Sequence, residues 1–251
     1  MSAKVPTDIH LSYLSQALDL ARKSPPKPTN FRVGCVIVSY PSDDNGGSST
    51  TTAAGKVLST GYTLELPGNT HAEQCALAKL AQAHGTDESH LHELDVLSAA
   101  AADDVTLYTT LEPCGHRLSG NKACVERIIE TRKEKEKKSG GVSAGGGIRK
   151  VVFGAREPGT FVKDSKSLQR LDAEGVQWEY VPGLEEEILS VAMEGHDDAS
   201  DNKSENAAPQ TATTTSTSKT TTKSIDDISP EERRRQEALP RNPKKRMMET
   251  V

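Results

Sequence analysis

Hydrophobic positions along the chain follow two different periods. Apolar residues recur at helical spacing over 8–23, 71–84 and 124–132, and this spacing predicts three amphipathic helices. Short runs rich in β-branched and aromatic residues lie outside these stretches and predict five strands. The five runs are VGCVIVSY from Val33, KVLSTGY from Lys56, VTLYTT from Val105, RKVVFGA from Arg149 and VQWEYV from Val176.

The connections between these runs indicate how the strands are arranged. A Gly-rich segment joins the first two, which predicts an antiparallel hairpin. Segments of helix length separate the later strands, and crossovers of that length join parallel strands. The pattern therefore predicts an α/β fold, a three-layer α/β/α sandwich with a mixed five-stranded sheet.

The apolar pattern stops near the end of the chain. From His196 onward the sequence is dominated by Asp, Ser, Asn and Lys and by the Thr-rich run TATTTSTSKTTTK, with too few apolar residues to offset the entropy of ordering. We therefore predict one domain over 1–195 and a disordered low-complexity tail over 196–251. The RNPKKR stretch in this tail is typical of a solvated charged segment, and its alternative interpretation is a nuclear-import signal.

Composition and net charge restrict the class of partner and the cellular compartment that we expect for the protein. The 251 residues suit one domain with extensions, and a net charge of -5 gives no overall positive field for a nucleic acid. The chain lacks an apolar run of about 18 residues and a charged-then-apolar leader, so we expect a cytoplasmic protein with no membrane segment. In a reducing cytosol, its four cysteines favour metal binding or burial over disulfides.

Two segments carry candidate metal ligands. His71 opens a predicted helix, Cys114 follows a predicted strand, and Cys124 begins the next helix. One imidazole and two thiolates leave a fourth position to water, which is the composition of a catalytic zinc site. Helix N-termini favour neutral imidazole and thiolate, the forms that bind metal. Zn²⁺ is therefore the predicted cofactor.

Glu73 lies two residues after His71, close enough to reach a water held at that metal. A carboxylate in this place can take a proton from the water and pass it to a leaving amine. The combination of His-x-Glu, Pro-Cys and a second Cys is typical of zinc deaminases. We therefore predict a hydrolytic deaminase with Glu73 as the proton-transfer residue.

The other cysteines and histidines have simpler interpretations. Cys35 lies in an apolar strand and Cys75 on the apolar face of a helix, so both are predicted to be core thiols. His116 is predicted to contact solvent or substrate, with a role as an alternative zinc ligand left open. The histidines at a helix end or in polar loops are expected to face solvent: His84, His90 and His92.

Three motifs closely resemble the fungal-type riboflavin-pathway deaminases of the cytidine-deaminase superfamily: TNFRVGCVIV, GYTLELPGNTHAEQCAL and LYTTLEPCGHRLSGNKACVERI. The resemblance implies a cytidine-deaminase-like fold, a homodimer, and hydrolysis of the 2-amino group of 2,5-diamino-6-ribitylamino-pyrimidinone 5′-phosphate. It also implies that Asn30 lies beside the base or sugar. Some relatives carry a pseudouridine-synthase-like or reductase domain, and this length accommodates neither, so a stand-alone deaminase is expected.

The spacing of the two zinc cysteines distinguishes members of this superfamily. Nine residues, Gly115 to Ala123, separate them here, whereas cytidine and tRNA adenosine deaminases have two. Such a segment is expected to cross the mouth of the site as a loop. Its side chains suit a phosphate or a polyol, with a solvated loop as the alternative. The predicted substrate contacts in it are Arg117, Ser119, Asn121 and Lys122.

Two other functions compete with this hypothesis. A tRNA adenosine deaminase or a nucleoside deaminase would share the zinc site, but the long cysteine spacing and the acidic charge balance argue against both. A non-catalytic zinc module would bind partners through its tail. The presence of Glu73 and the lack of a fourth protein ligand argue against that module, since structural zinc sites are normally closed by four ligands.

Overall fold

Helices and strands alternate along the chain. The computed structural model describes residues 5–41, 55–97, 103–132, 146–158 and 166–196. The strands are β1 (Gly34–Pro41), β2 (Lys56–Tyr62), β3 (Asp103–Leu111), β4 (Ile148–Ala155) and β5 (Gln177–Tyr180). The α-helices are α1 (Thr7–Ala21), α2 (Ala72–Ala83), α3 (Cys124–Glu130), α4 (Ser167–Ala173) and α5 (Glu185–Met193). Two short 3-10 helices lie between α2 and β3, at Glu88–Glu93 and Asp95–Leu97.

The five strands form one mixed sheet in the order β2-β1-β3-β4-β5. β1 is antiparallel to both β2 and β3, while β4 is parallel to both β3 and β5. β2 and β3 therefore run in the same direction on either side of β1, and α2 lies in the connection between them. The predicted hairpin and the predicted parallel crossovers are confirmed.

Alternating strand residues face two different cores. Cys35 and Ile37 of β1 pack with residues of α2, α3 and α4, whereas Val36 and Val38 pack with α1. α5 packs against the same face as α1, through Ile188. The helix α1 supports this packing with buried positions at helical spacing: His10, Tyr13, Leu14, Ala17, Leu18 and Ala21. The predicted three-layer sandwich is confirmed.

Two helices, α4 and α5, were not predicted from the sequence. They are only 7 and 9 residues long, so their apolar periodicity is short. α5 does carry a signal, because its first turn contains three glutamates, which favour the positive end of the helix dipole. α4 begins after Lys166, whose left-handed backbone (φ 50°) and lack of a capping hydrogen bond give no start signal.

The boundary between domain and tail stays a prediction. Apart from His196, the predicted tail lies outside the described residues. His196 stacks on Phe31 with ring centroids 5.1 Å apart, and its Nε2 lies 3.2 Å from the Asn30 carbonyl oxygen. Across the described ranges, no helix has the length and apolar composition needed to span a lipid bilayer.

Gly61 in β2 allows the N-terminal turn of α2 to lie close to the sheet. A Cβ atom at this position would lie 2.3 Å from the Ala72 carbonyl oxygen and 2.5 Å from the Ala76 nitrogen. Both are backbone atoms, so the helix itself would have to move. The absence of a side chain at Gly61 therefore helps to position His71, which immediately precedes α2.

We expect Gly61→Ala to lower the free energy of unfolding by about 3 kcal/mol, because overpacking of this contact displaces a helix. Urea denaturation of the zinc-loaded protein measures the loss. Ser59→Ala is the control, since it removes the 2.8 Å hydrogen bond from Ser59 Oγ to the Ala76 carbonyl without adding an atom. That variant should lose about 1 kcal/mol. Equal losses in the two variants would contradict the steric explanation.

Candidate active site

The predicted zinc ligands meet at one edge of the sheet. Cys114 follows the end of β3, and Cys124 is the first residue of α3, as the sequence predicts. His71 is the N-cap of α2 and has an extended backbone (φ -91°, ψ 161°), so the helix begins one residue later than predicted. All three side chains thus lie at ends of regular elements.

The donor atoms of these residues have the spacing that zinc requires. His71 Nδ1 lies 3.5 Å from Cys114 Sγ and 3.4 Å from Cys124 Sγ, and the three ligand atoms all lie within 4.8 Å of one another. In a tetrahedral site, Zn–S bonds of about 2.3 Å and Zn–N bonds of about 2.0 Å place sulfur and nitrogen about 3.5 Å apart. The residues present therefore fit zinc, with a fourth position open to water or substrate.

The two thiols of this cluster differ in acidity. The hydrogen bond from the Cys124 thiol lowers the pKa of Cys114 to about 4. That same hydrogen bond, together with burial, raises the pKa of Cys124 well above its ordinary value. Cys114 is therefore the more acidic thiol of the two. Because zinc is bound by thiolates, metal binding is coupled to the release of thiol protons.

Glu73 is buried beside the ligands in the first turn of α2. Its Oε2 lies 3.3 Å from Cys124 Sγ, and Thr109 Oγ1 donates to its Oε1 at 3.5 Å. Burial raises the pKa of the Glu73 carboxyl, and the negative charge of Cys114 raises it further. A raised pKa suits a group that must both accept and release a proton near neutral pH.

The remaining cysteines and histidines mostly lie where the sequence predicts. Cys35 and Cys75 are fully buried, which confirms them as core thiols. His84 and His90 are exposed, but the prediction for His92 is wrong, because only 17% of its side chain is exposed. A sequence-based assignment could not anticipate this, since the 3-10 helix that turns His92 inward is short.

His116 does not belong to the metal cluster found among the described residues. Its side chain is exposed and lines the adjoining cavity. Its interpretation as an alternative zinc ligand is therefore not supported by the geometry, and the interpretation as a solvent or substrate contact stays.

His71, Glu73 and Cys114 border an open cavity of about 140 Å³. The whole lining comprises Thr29, Asn30, Phe31, Val33, Thr63, Asn69, His71, Glu73, Leu111, Glu112, Cys114, His116, Arg117, Leu118, Ser119 and Glu157. The wall therefore combines the segment before β1, the segment after β3 and one residue that follows β4.

Three of the five predicted substrate contacts, Asn30, Arg117 and Ser119, line this cavity, but Asn121 and Lys122 do not. The chain turns at Gly120 (φ 73°), and beyond the turn Lys122 Nζ lies 2.5 Å from Glu130 Oε2. The prediction that the whole loop faces the cavity is therefore too broad. The ion pair with Glu130 holds Lys122 against α3, so the second half of the loop does not line the cavity.

Arg117 differs from the exposed cation expected of a solvated loop. Its side chain is buried, with Nη2 donating to the Asn69 carbonyl at 2.6 Å and Nη1 to Gln74 Oε1 at 3.1 Å. A buried guanidinium needs such acceptors to offset its lost hydration. Asn69 also accepts from Asn30 Nδ2 at 2.7 Å, through its side-chain oxygen. Arg117 and Asn69 therefore connect three segments of the cavity wall.

Glu157 is a cavity residue that the sequence analysis missed. Burial raises the pKa of its carboxyl to about 8, and the negative charges of Cys114, Glu73 and Glu112 add to the effect. Within the described residues, it forms no hydrogen bond or ion pair. A signal was available, because Glu157 follows β4 as Cys114 follows β3, and adjacent parallel strands end at the same edge of a sheet.

Comparison with known families agrees with this geometry. Residues 7–137 match the family described as the cytidine and deoxycytidylate deaminase zinc-binding region. The chain belongs to this deaminase family. Zinc is the metal of the matched region, and the His-Cys-Cys cluster fits it. The predicted cofactor is thereby confirmed.

The chain is similar to two fungal proteins. A diaminohydroxyphosphoribosylamino-pyrimidine deaminase from Schizosaccharomyces pombe is 32% identical over 187 residues, which cover 74% of this chain and 36% of that protein. Aspergillus oryzae Rib2 deaminase, crystallised in complex with DARIPP as a C-terminal deletion mutant, is 46% identical with a TM-score of 0.63. That match covers 76% of this chain and 93% of the other.

A second crystal structure of the Aspergillus oryzae enzyme, at pH 4.6, gives the same TM-score of 0.63, and the match covers 77% of this chain and 95% of the other. The predicted resemblance and the cytidine-deaminase-like fold are therefore confirmed. The chain spans about a third of the length of the Schizosaccharomyces pombe protein that it matches.

Proposed function

We propose that the chain is a zinc-dependent hydrolase that removes the 2-amino group of 2,5-diamino-6-ribitylamino-pyrimidinone 5′-phosphate. The observation that carries this proposal is the buried Glu73 carboxyl, placed 3.3 Å from a zinc-ligand sulfur at the border of an open cavity. The Aspergillus oryzae enzyme crystallised with DARIPP supports the choice of substrate.

Hydrolytic deamination replaces a carbon–nitrogen bond by a carbon–oxygen bond and releases ammonia. Bound zinc supplies a nucleophile for this chemistry by lowering the pKa of water. One proton must leave the water and one must reach the departing amine. Glu73 is the cavity carboxyl that contacts a ligand sulfur, that of Cys124, and its raised pKa lets it accept the first proton and donate the second.

Recognition of the base is assigned to Glu157 and Asn30. An aminopyrimidine presents N–H donors, and Glu157 offers a carboxyl with no partner among the described residues. The Asn30 side chain is held by Thr29 Oγ1 at 2.8 Å and by Asn69 Oδ1 at 2.7 Å. A preorganised amide of this kind positions a ligand at a small entropic cost.

The size of the cavity favours different binding places for the base and the phosphate of the proposed substrate. Pockets that enclose a whole small-molecule ligand usually start near 300 Å³, and this cavity measures about 140 Å³. In this proposal the pyrimidine occupies the cavity, and the ribityl phosphate extends toward Ser119, an exposed residue of the lining. Arg117 supports the wall there, since two of its donors already bind Asn69 and Gln74. The homodimer and the cytoplasmic location stay predictions.

Ammonia release from purified zinc-loaded protein tests the proposal. The substrates are the ribitylamino-pyrimidine phosphate, its dephosphorylated analogue, cytidine and adenosine. We expect turnover of the phosphate, a lower kcat/KM for the analogue by about tenfold or more, and no turnover of either nucleoside, because lost phosphate contacts are charge-assisted hydrogen bonds.

Other outcomes would contradict the proposal. Turnover of cytidine or adenosine without turnover of the pyrimidine would favour a nucleoside or tRNA deaminase. Stoichiometric zinc with no turnover of any substrate would favour the non-catalytic zinc module. The structure offers that alternative no support, because Glu73 lines the cavity beside His71.

A further inference from the structure

A side chain from α4 reaches the loop that separates the two zinc cysteines. Arg170 Nη1 donates to the Gly115 carbonyl at 2.7 Å, and Arg170 Nη2 lies 3.4 Å from Glu126 Oε1. Gly115 immediately follows Cys114, and Glu126 lies two residues after Cys124. One guanidinium therefore contacts the segments that follow both cysteines.

The carboxylate of Glu126 extends this connection. Its second oxygen, Oε2, accepts a hydrogen bond from the Ala123 backbone nitrogen at 3.2 Å. Ala123 is the last residue of the loop and Gly115 is the first. The chain of contacts from Gly115 through Arg170 and Glu126 to Ala123 therefore joins the two ends of the loop. We call these four residues the loop clamp.

The long cysteine spacing makes such a connection necessary. Where two residues separate the cysteines, local backbone geometry holds both sulfurs near one another. A loop of nine residues has many conformations, so bringing its ends together costs entropy. Two hydrogen bonds already join the residues that flank the loop: Val125 N donates to the Cys114 carbonyl at 3.2 Å, and Cys124 N donates to Cys114 Sγ at 3.4 Å. The clamp adds a further connection, through a side chain of α4.

We propose that Arg170 is a positioning residue of the zinc site. It holds Cys114 and Cys124 at ligand spacing and thereby helps the site to retain its metal. Arginine suits this role because its planar fork presents several donors in fixed directions, whereas lysine is a point charge. Ser167, the first residue of α4, supports the same segment by donating from Oγ to Glu112 Oε1. The proposal depends on the zinc site and is independent of the identity of the substrate.

The exposed fraction of the clamp side chains indicates which property a substitution in the clamp should change. The side chains of Arg170 and Glu126 are 37% and 47% exposed, and ion pairs this exposed contribute little to global stability. Groups that orient metal ligands nevertheless change metal affinity by about 10- to 100-fold. We therefore expect the effect in metal retention, and a fall in the thermal midpoint of the zinc-loaded protein no larger than the loss of zinc affinity accounts for.

The experiment measures transfer of zinc from loaded full-length protein to a chromophoric chelator. Arg170→Ala should release zinc about tenfold faster, the lower end of the range for such groups. Arg170→Lys should release it faster than wild type, because lysine cannot reproduce the fork. Glu126→Gln should give a smaller increase, since its amide oxygen can still accept from Ala123.

Asp172→Ala is the matched control. It lies on the same helix and removes the 2.9 Å hydrogen bond from Trp178 Nε1 without touching the loop. Zinc release from this variant should equal that of wild type. The proposal is overturned if Arg170→Ala and Arg170→Lys release zinc at the wild-type rate, or if Asp172→Ala accelerates release as much as Arg170→Ala.

Discussion

Glu73→Gln should retain about one zinc per chain while deamination falls by about 100-fold or more. Glutamine keeps the size of the side chain but cannot carry a proton between water and amine. The zinc ligands, His71, Cys114 and Cys124, are untouched by the change. Elemental analysis of the purified variant gives its metal content, and ammonia release gives its rate.

Glu73→Asp provides a second, informative variant. It keeps the carboxyl but withdraws it by one methylene, so activity should fall between wild type and Glu73→Gln. Loss of zinc from Glu73→Gln would show that Glu73 is a ligand, and the division of roles at the site would then be wrong. Full activity in Glu73→Gln would remove Glu73 from the mechanism.

Replacing any zinc ligand should lower the metal content, in contrast to Glu73→Gln. We expect His71→Ala, Cys114→Ser and Cys124→Ser to lose most of their zinc. A metal present at about 100 times its Kd stabilises the folded state by about 2.7 kcal/mol, and a variant that no longer binds the metal loses this stabilisation. For a domain of this size that corresponds to a fall in Tm of about 5–11 °C. Metal analysis and thermal denaturation measure the two effects.

Cys75→Ala is the control for these variants. Cys75 lies on α2 and is fully buried, but it is not part of the metal cluster, so zinc content should be preserved even where stability falls. Full zinc in Cys124→Ser would mean that another group, such as His116, serves as third ligand. The argument from cysteine spacing would then fail.

The sheet and the metal ligands could be predicted because local patterns determine them. The run from Val33 is apolar on both faces, as a central strand must be, and Cys35 and Val36 are each fully buried, facing different cores. His71 and Cys124 lie at helix N-termini, where short motifs are most informative. These features need no knowledge of distant residues.

The wall of the cavity could not be predicted in the same way. Composition identified Arg117 and Lys122 as cations of one loop, but their directions depend on partners elsewhere in the chain. Arg117 binds Asn69 and Gln74, which lie more than 40 positions earlier, and Lys122 binds Glu130 of α3. Loop side chains follow such tertiary contacts, and the sequence of the loop does not specify them.

The stack of His196 on Phe31 bears on where the chain can be shortened. Phe31 lines the cavity with its neighbour Asn30, and His196 covers the Phe31 ring while approaching the Asn30 carbonyl. Crystals of the Aspergillus oryzae relative came from a C-terminal deletion mutant. A truncation that removes His196 would therefore leave the aromatic ring of Phe31, part of the cavity wall, without its cover.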